Sequence, residues 1–313
     1  MGVKHLNKLI RLNTSEAVFK TSLANITGWT VAIDTSNYLY RFAKDGCMLK
    51  GLYNMIKTFK RHSIIPIFVL DGAPPPEKSD ILVERRNERY IALYEYNKMK
   101  AQFHTNNNEC IRNKIQEYKR KSTYVSRRDI NNAVTLMELM GVNYIKATGE
   151  ADQLCSLLTL NGITHACMSE DMDMFVYGTS TILRYLSLVH DNVVVYDYSI
   201  ILKEMNIPKN DFVTMCILSG SEYNRNYRYD EIISVFDTMN LYKQYRKFGT
   251  TIPFVKWIPI YSHNIPVIDM DLFNRIADNY DIINDPLPEF EFNIIHHTCN
   301  NGKILDFINK CVK

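Results

Sequence analysis

The sequence predicts an α/β fold, an open, mostly parallel twisted sheet flanked by helices. Short, compact apolar runs, the mark of strands buried on both faces, end on carboxylates: Trp29 to Ile33 before Asp34, and Ile64 to Leu70 before Asp71. Between these runs Leu49, Leu52, Ile56 and Phe59 recur at three-to-four spacing, an amphipathic helix, so strand, helix and strand form a parallel βαβ unit. Ile163 to Met168 repeats the strand pattern and runs into Glu170-Asp171-Met172-Asp173. Carboxylates at the carboxyl end of such a strand point into the crevice where α/β sheets bind ligands.

Taken in order, Thr35-Ser36 is expected to cap a short helix carrying Tyr38, Leu39 and Phe42. Gly72-Ala73-Pro74-Pro75-Pro76 then breaks the rhythm. From Lys78 to Tyr124 the chain is polar, basic and aromatic, with helical stretches but no continuous core face. Ordinary loops run to about 4–6 residues, so an insertion of this length is expected to be either functional or partly disordered. Asp129 is the expected N-cap of a helix through Leu136, Leu139 and Met140 that Gly141 stops. Val142 to Ala147 reads as a strand, and Glu150 to Asn161 as a helix closed by Gly162. Ile182 to Tyr185 and Val193 to Tyr196 read as short strands, antiparallel at an edge. Asp211 to Leu218 is a helix ending at Ser219-Gly220. Beyond Glu222 the chain turns Asn- and Tyr-rich and its periodicity weakens.

At 313 residues, 46% hydrophobic and 23% charged, the chain has the composition of a globular protein. A net charge of +3 permits a nucleic-acid partner without requiring one, and its distribution says more. From Arg85 to Arg128 twelve bases, Arg86, Arg89, Arg127 and Arg128 among them, face only Glu88, Glu95, Glu109 and Glu117. Seven scattered cysteines without a CxxC pair read as reduced thiols, not as a disulfide frame or a zinc site. No run approaches the roughly 18 apolar residues of a membrane span, the start lacks a secretory pattern, and Leu6 stands where a myristoylation signal wants Ser or Thr. An intracellular, soluble protein is expected, in nucleus or cytoplasm.

Asp171 and Asp173 are two apart, so a turning backbone can aim both at one point, and clustered hard oxygens suit Mg2+ or Mn2+. Asp34 and Asp71 end strands, Glu150 and Asp152 open a helix, and Glu222 lies just past a helix end. Singly each has a structural explanation: a solvated acidic loop, a helix cap, or an acidic first turn favoured by the helix dipole. Jointly they ask for cations, because like charges converging on one crevice are costly unless neutralised. Two divalent ions about 3.5–4 Å apart are the usual solution and serve phosphoryl chemistry. A basic segment nearby supplies a surface for phosphates.

The order of these motifs resembles the flap endonuclease family of structure-specific 5′ nucleases, which share a PIN-like fold. The Met1-Gly2 start, Val31 to Asp34, Leu70-Asp71-Gly72-Ala73-Pro74-Pro75 with Lys78 and Arg85, Glu150-Ala151-Asp152-Gln153, Glu170 to Asp173 and Leu218 to Tyr223 match its motifs in order over roughly residues 1–223. The resemblance implies that Asp34, Asp71, Glu150, Asp152, Asp171, Asp173 and Glu222 hold two Mg2+ or Mn2+ ions. It implies that Lys78 and Arg85, seven apart and on one helical face, contact the reacting phosphate, and that Tyr40 stacks on a base near the cleavage point. Residues 74–128 would be a gateway for a 5′ single strand, inserted in a nuclease core of residues 1–223. Residues 224–313 would be a divergent helical extension, packed on the core, that binds duplex DNA through Arg225 and Arg228. Glu170 drops out of the metal set, because the family motif gives that role to the aspartates alone.

Four departures stand out. Asp152 is one methylene shorter, and Glu222 one longer, than the family's usual residues. No glycine occurs between Gly220 and Gly249, where the family carries the Gly-x-Gly of a potassium site, and the sliding-clamp signature has no counterpart near Leu305 to Lys310. His296, His297 and Cys299 lack partner ligands at suitable spacing and read as structural. The compact length and Asn/Ile/Tyr-rich composition look more like relatives from large DNA viruses than like cellular enzymes, which would place the protein at a viral replication site. The expected function is metal-dependent hydrolysis of flapped, nicked or branched DNA. A 5′–3′ exonuclease on DNA or RNA and an inactive nucleic-acid-binding relative are the alternatives.

Overall fold

The computed structural model describes residues 2–75, 78–103, 109–221, 223, 233–261, 269–287 and 301–312. Strands among them are β1 (Val18–Ser22), β2 (Thr30–Asp34), β3 (Ile65–Leu70), β4 (Asn143–Lys146), β5 (Ala166–Met168), β6 (Thr181–Ser187) and β7 (Asn192–Asp197). The chain divides into two compact units, one made of Met1–Ile33 with Asp152–Glu289, the other of Asp34–Ala151 with Phe290–Lys313.

In the first unit the strand order is β1-β7-β6-β5-β2. β5 pairs in parallel with β2 on one side and β6 on the other, and β7 runs antiparallel to both β6 and β1. Val31, Ala32, Ile33, Ala166, Cys167 and Met168 are all completely buried, as an unbroken apolar sequence requires of central parallel strands. The antiparallel edge expected from residues 182–185 and 193–196 is present, with both strands longer than their apolar cores. β1 went unpredicted because Val18-Phe19-Lys20-Thr21-Ser22 mixes polar and apolar residues on a largely exposed edge. Helices Lys209–Leu218, Val235–Phe248, Phe254–Tyr261 and Met270–Tyr280 pack against one another, so the described residues between Val235 and Tyr280 are mostly helical despite their weak periodicity.

In the second unit β3 and β4 are parallel. Helix Met48–Arg61 buries Leu49, Leu52, Ile56 and Phe59, the predicted stripe, and packs on β3 and on helices Thr35–Lys44 and Arg127–Leu139. The basic insertion forms two helices, Ser79–Phe103 and Glu109–Lys121, that lie against each other; the second buries no side chain. Two expected caps are corrected. Asp34, not Thr35-Ser36, caps helix Thr35–Lys44, its carboxylate accepting from the Asn37 amide. Helix Arg127–Leu139 starts one turn earlier than expected, at Ser126, whose hydroxyl accepts from the Asp129 amide while the Asp129 carboxylate accepts from the Ser126 amide. A serine three residues before an acid completes a reciprocal capping box, which outcompetes Asp129 acting alone. No helix among the described residues is long and apolar enough to cross a membrane.

Candidate metal and phosphate site

In the second unit, Asp34 stands at the start of helix Thr35–Lys44 and Asp71 directly follows β3. Asp34 is buried and accepts from both the amide and the side chain of Asn37. Asp71 accepts from the Ser36 hydroxyl and, at 2.9 Å, from the Ala151 amide. The second contact depends on Gly72. Its amide donates to Gly149 O at 2.7 Å, and a Cβ there would lie 2.1 Å from Ala147 O. Only glycine lets the 147–149 backbone come this close, and that approach brings the start of helix Ala151–Leu160, with Glu150 before it, to Asp71.

Lys78 immediately precedes helix Ser79–Phe103, which carries Arg85. Lys78 is 4% exposed, and its ammonium donates to Glu150, 2.8 Å from Oε1 and 2.7 Å from Oε2. A nearly buried lysine needs an anion, and Glu150 supplies it. Arg85 is half-buried; Arg86, Arg127 and Arg128 are exposed. Arg89 places its guanidinium 4.7 Å from the Tyr124 ring centre, and Tyr40 is half-buried on helix Thr35–Lys44.

In the first unit the loop after β5 carries the acidic pair. Asp171 is 6% and Asp173 1% exposed, and the Asp173 amide donates to Asp171 Oδ1 at 3.2 Å. Gly2, at φ +77°, lies against them: a Cβ on it would be 2.5 Å from Asp173 Oδ1 and 2.7 Å from Asp171 Oδ1. Two acceptor-only oxygens therefore face one small space that a glycine keeps open. Glu170 points elsewhere. Its Oε1 accepts from the Tyr185 amide at 2.7 Å and its Oε2 is 3.7 Å from Arg184 Nε. The Tyr280 hydroxyl donates to Asp173 Oδ2 at 3.1 Å and is also bonded by the Ser221 side chain. Burial, reinforced by the Asp173 charge, holds the Tyr280 phenol well above its ordinary value, so it remains a donor. Asp152, in the first turn of helix Ala151–Leu160, bonds through Oδ1 to the Gln153 amide.

The donor set is what a hard divalent cation takes: carboxylate oxygens, two of them converging. Among the described residues no group of three or more His, Cys, Asp or Glu is gathered closely enough to hold a metal ion. The Asp171/Asp173 pair and the Asp71/Glu150 neighbourhood each stand in their own unit. Glu222, Arg225 and Arg228 lie outside the described residues, as do His296, His297 and Cys299. Sequence reading missed Ser36, Arg184 and Tyr280. The Met-Gly start signalled Gly2, whereas nothing in the sequence marked Tyr280.

Two family models match the chain, the XPG N-terminal domain over residues 1–92 and the XPG I-region over residues 141–222. The flap endonuclease 1 of Candida tropicalis is 30% identical over 277 residues, covering 82% of this chain and 71% of that relative. Other flap endonuclease 1 relatives are matched over as little as 59% of their length. Among solved structures, the catalytic core of Rad2 in complex with DNA substrate superposes with a TM-score of 0.65 at 18% identity, covering 99% of this chain and 94% of that one. The Holliday junction-resolving enzyme GEN1 in complex with product DNA and Mg2+ gives 0.53 at 17% identity, covering 99% and 68%. At those identities the structural likeness is one of fold, and it bears out the PIN-like α/β class. Together with the family models and the relative from Candida tropicalis, it establishes that this chain belongs to the XPG and flap endonuclease family of nucleases.

Proposed function

We propose that the chain is a divalent-metal-dependent, structure-specific 5′ nuclease that hydrolyses phosphodiester bonds in flapped, nicked or branched DNA during replication, recombination or repair. The observation that supports this most directly is the convergence of Asp171 Oδ1 and Asp173 Oδ1 on the space beside Gly2. In this reading Asp34, Asp71, Glu150, Asp152, Asp171, Asp173 and Glu222 hold two Mg2+ or Mn2+ ions. Bound there, such ions supply Lewis acidity for in-line attack of water on the phosphodiester. Lys78 and Arg85 orient the phosphate and stabilise its developing charge, Lys78 exchanging Glu150 for the phosphate when substrate binds. Tyr40 stacks on an unpaired base near the cut. Arg86, Arg89, Arg127 and Arg128 steer the 5′ strand through the gateway of residues 74–128, and Arg225 and Arg228 in the 224–313 extension bind duplex. The protein then works at intracellular sites of DNA replication.

The test offers labelled 5′-flap, nicked and blunt-duplex DNA and single-stranded RNA, each with Mg2+ or EDTA. Flap cutting that needs Mg2+ and disappears in the Asp171→Ala/Asp173→Ala variant is expected. Cutting in EDTA, or full activity of that variant, overturns the mechanism. Equal turnover of single-stranded RNA overturns the substrate assignment. Removal of single 5′ nucleotides from blunt duplex, without flap cutting, makes the enzyme an exonuclease instead.

A further inference from the structure

The matched family regions end at residue 222, and the motif-based ligand set ends there too. Tyr280 lies well beyond both, 107 residues from the aspartate it touches. We propose that Tyr280 is a positioning residue for the metal-binding loop, its hydroxyl fixing the Asp173 carboxylate so that Oδ1 stays turned to the space beside Gly2. This rests on the metal reading of Asp171 and Asp173 given above.

The phenol is placed rigidly. Phe273, Ile276 and Tyr280 form the buried stripe of helix Met270–Tyr280, which packs on helix Lys209–Leu218. The helix is capped by Asp269, whose Oδ1 accepts from the Asp271 and Leu272 amides, each at 3.0 Å. The Tyr280 ring is held edge-on by Tyr223 at 5.4 Å and tilted against Tyr177 at 5.1 Å. Its hydroxyl therefore has little freedom to leave Asp173 Oδ2, and that bond stops rotation of the carboxylate about Cβ–Cγ.

The other end of the loop is gripped from β6. Arg184 is buried and donates from Nη2 to Glu170 O at 2.8 Å and from Nη1 to Met172 Sδ at 2.6 Å. Asp171 and Asp173 thus sit on a loop held through the Glu170 carbonyl and the Met172 thioether, and Tyr280 restrains the Asp173 carboxylate itself. Partners of this kind, one shell out from a metal, are worth about 10–100-fold in metal affinity when removed.

Tyr280→Phe deletes one oxygen and keeps the ring, and Mn2+ binding to the full chain, read by electron paramagnetic resonance without DNA, reports on the site directly. The expected result is an Mn2+ dissociation constant raised about 10–100-fold, a KM for flap DNA within about twofold of wild type, and kcat restored by excess metal. Metal affinity unchanged in Tyr280→Phe, while Asp173→Asn loses it, overturns the proposal and leaves the metal site standing. A lowered unfolding midpoint with unchanged Mn2+ affinity makes the bond structural and overturns it likewise. Equal Mn2+ binding by wild type and Asp173→Asn, or none by either, overturns the metal reading and this inference together.

Discussion

Replacing Lys78 with Met keeps most of the stem volume and removes the charge from a nearly buried ion pair. The ammonium contacts both oxygens of Glu150, at 2.8 and 2.7 Å, and Lys78 as a whole is 4% exposed. Stranding one partner of a fully buried pair costs about 3–5 kcal/mol. The Glu150 side chain is 19% exposed, so water can reach the stranded carboxylate, and the lower figure of about 1.5–3 kcal/mol for hydrogen bonds to charged groups applies. For a chain of this size that is a drop of roughly 3–10 °C in unfolding midpoint. The assay is a double-mutant cycle by urea unfolding over wild type, Lys78→Met, Glu150→Gln and the double variant. A favourable coupling of about 1.5–3 kcal/mol is expected. If the single effects add to the double within about 0.5 kcal/mol, the two side chains are not energetically paired and the local account of Lys78 fails.

Gly51→Ala is expected to destabilise the protein, because a methyl there would lie 2.4 Å from Phe42 Cγ. Overpacking of about 1–3 kcal/mol outweighs the gain of up to about 1 kcal/mol in helix propensity, and a lowered urea midpoint checks it. Burial raises the Asp211 carboxyl above its ordinary value, against the opposing pull of Tyr242 and Arg246. A raised folded value means the protonated form is favoured on folding, so the stability it contributes is present at acid pH and lost as pH rises through that value. Asp211→Asn should therefore raise the thermal midpoint at pH 8, and the difference from wild type should shrink towards pH 4.

The fold was legible where burial leaves an unbroken trace. β2, β3 and β5 announce themselves as apolar runs because both their faces are covered, and helix Met48–Arg61 because only one of its faces is. β1 and the bounds of the helices from Val235 onward were not legible in the periodicity, since an exposed edge strand and helices packed among other helices keep no clean period. The site divides the same way. Acidic residues at strand ends could be found by position alone, but their partners could not. Lys78 meets Glu150 across 72 residues, and Tyr280 meets Asp173 across 107. Gly72 was visible as half of an Asp-Gly pair, yet only the 2.1 Å approach to Ala147 O shows what its missing side chain permits.

The pairing of β1 with β7 joins Val18 to Tyr196, residues 178 apart in the chain. At about 5–20 residues per second of synthesis, the first strand waits on the order of 10–35 s for its partner to be made. During that interval Val18-Phe19-Lys20-Thr21-Ser22 is an unsatisfied strand edge, open to pairing with other nascent chains. Lys20, at its middle, is the kind of charged residue that discourages such pairing. Gly2 meets Asp171 and Asp173 only once the chain has grown past them, so neither the sheet nor the acidic pocket can be completed early in translation.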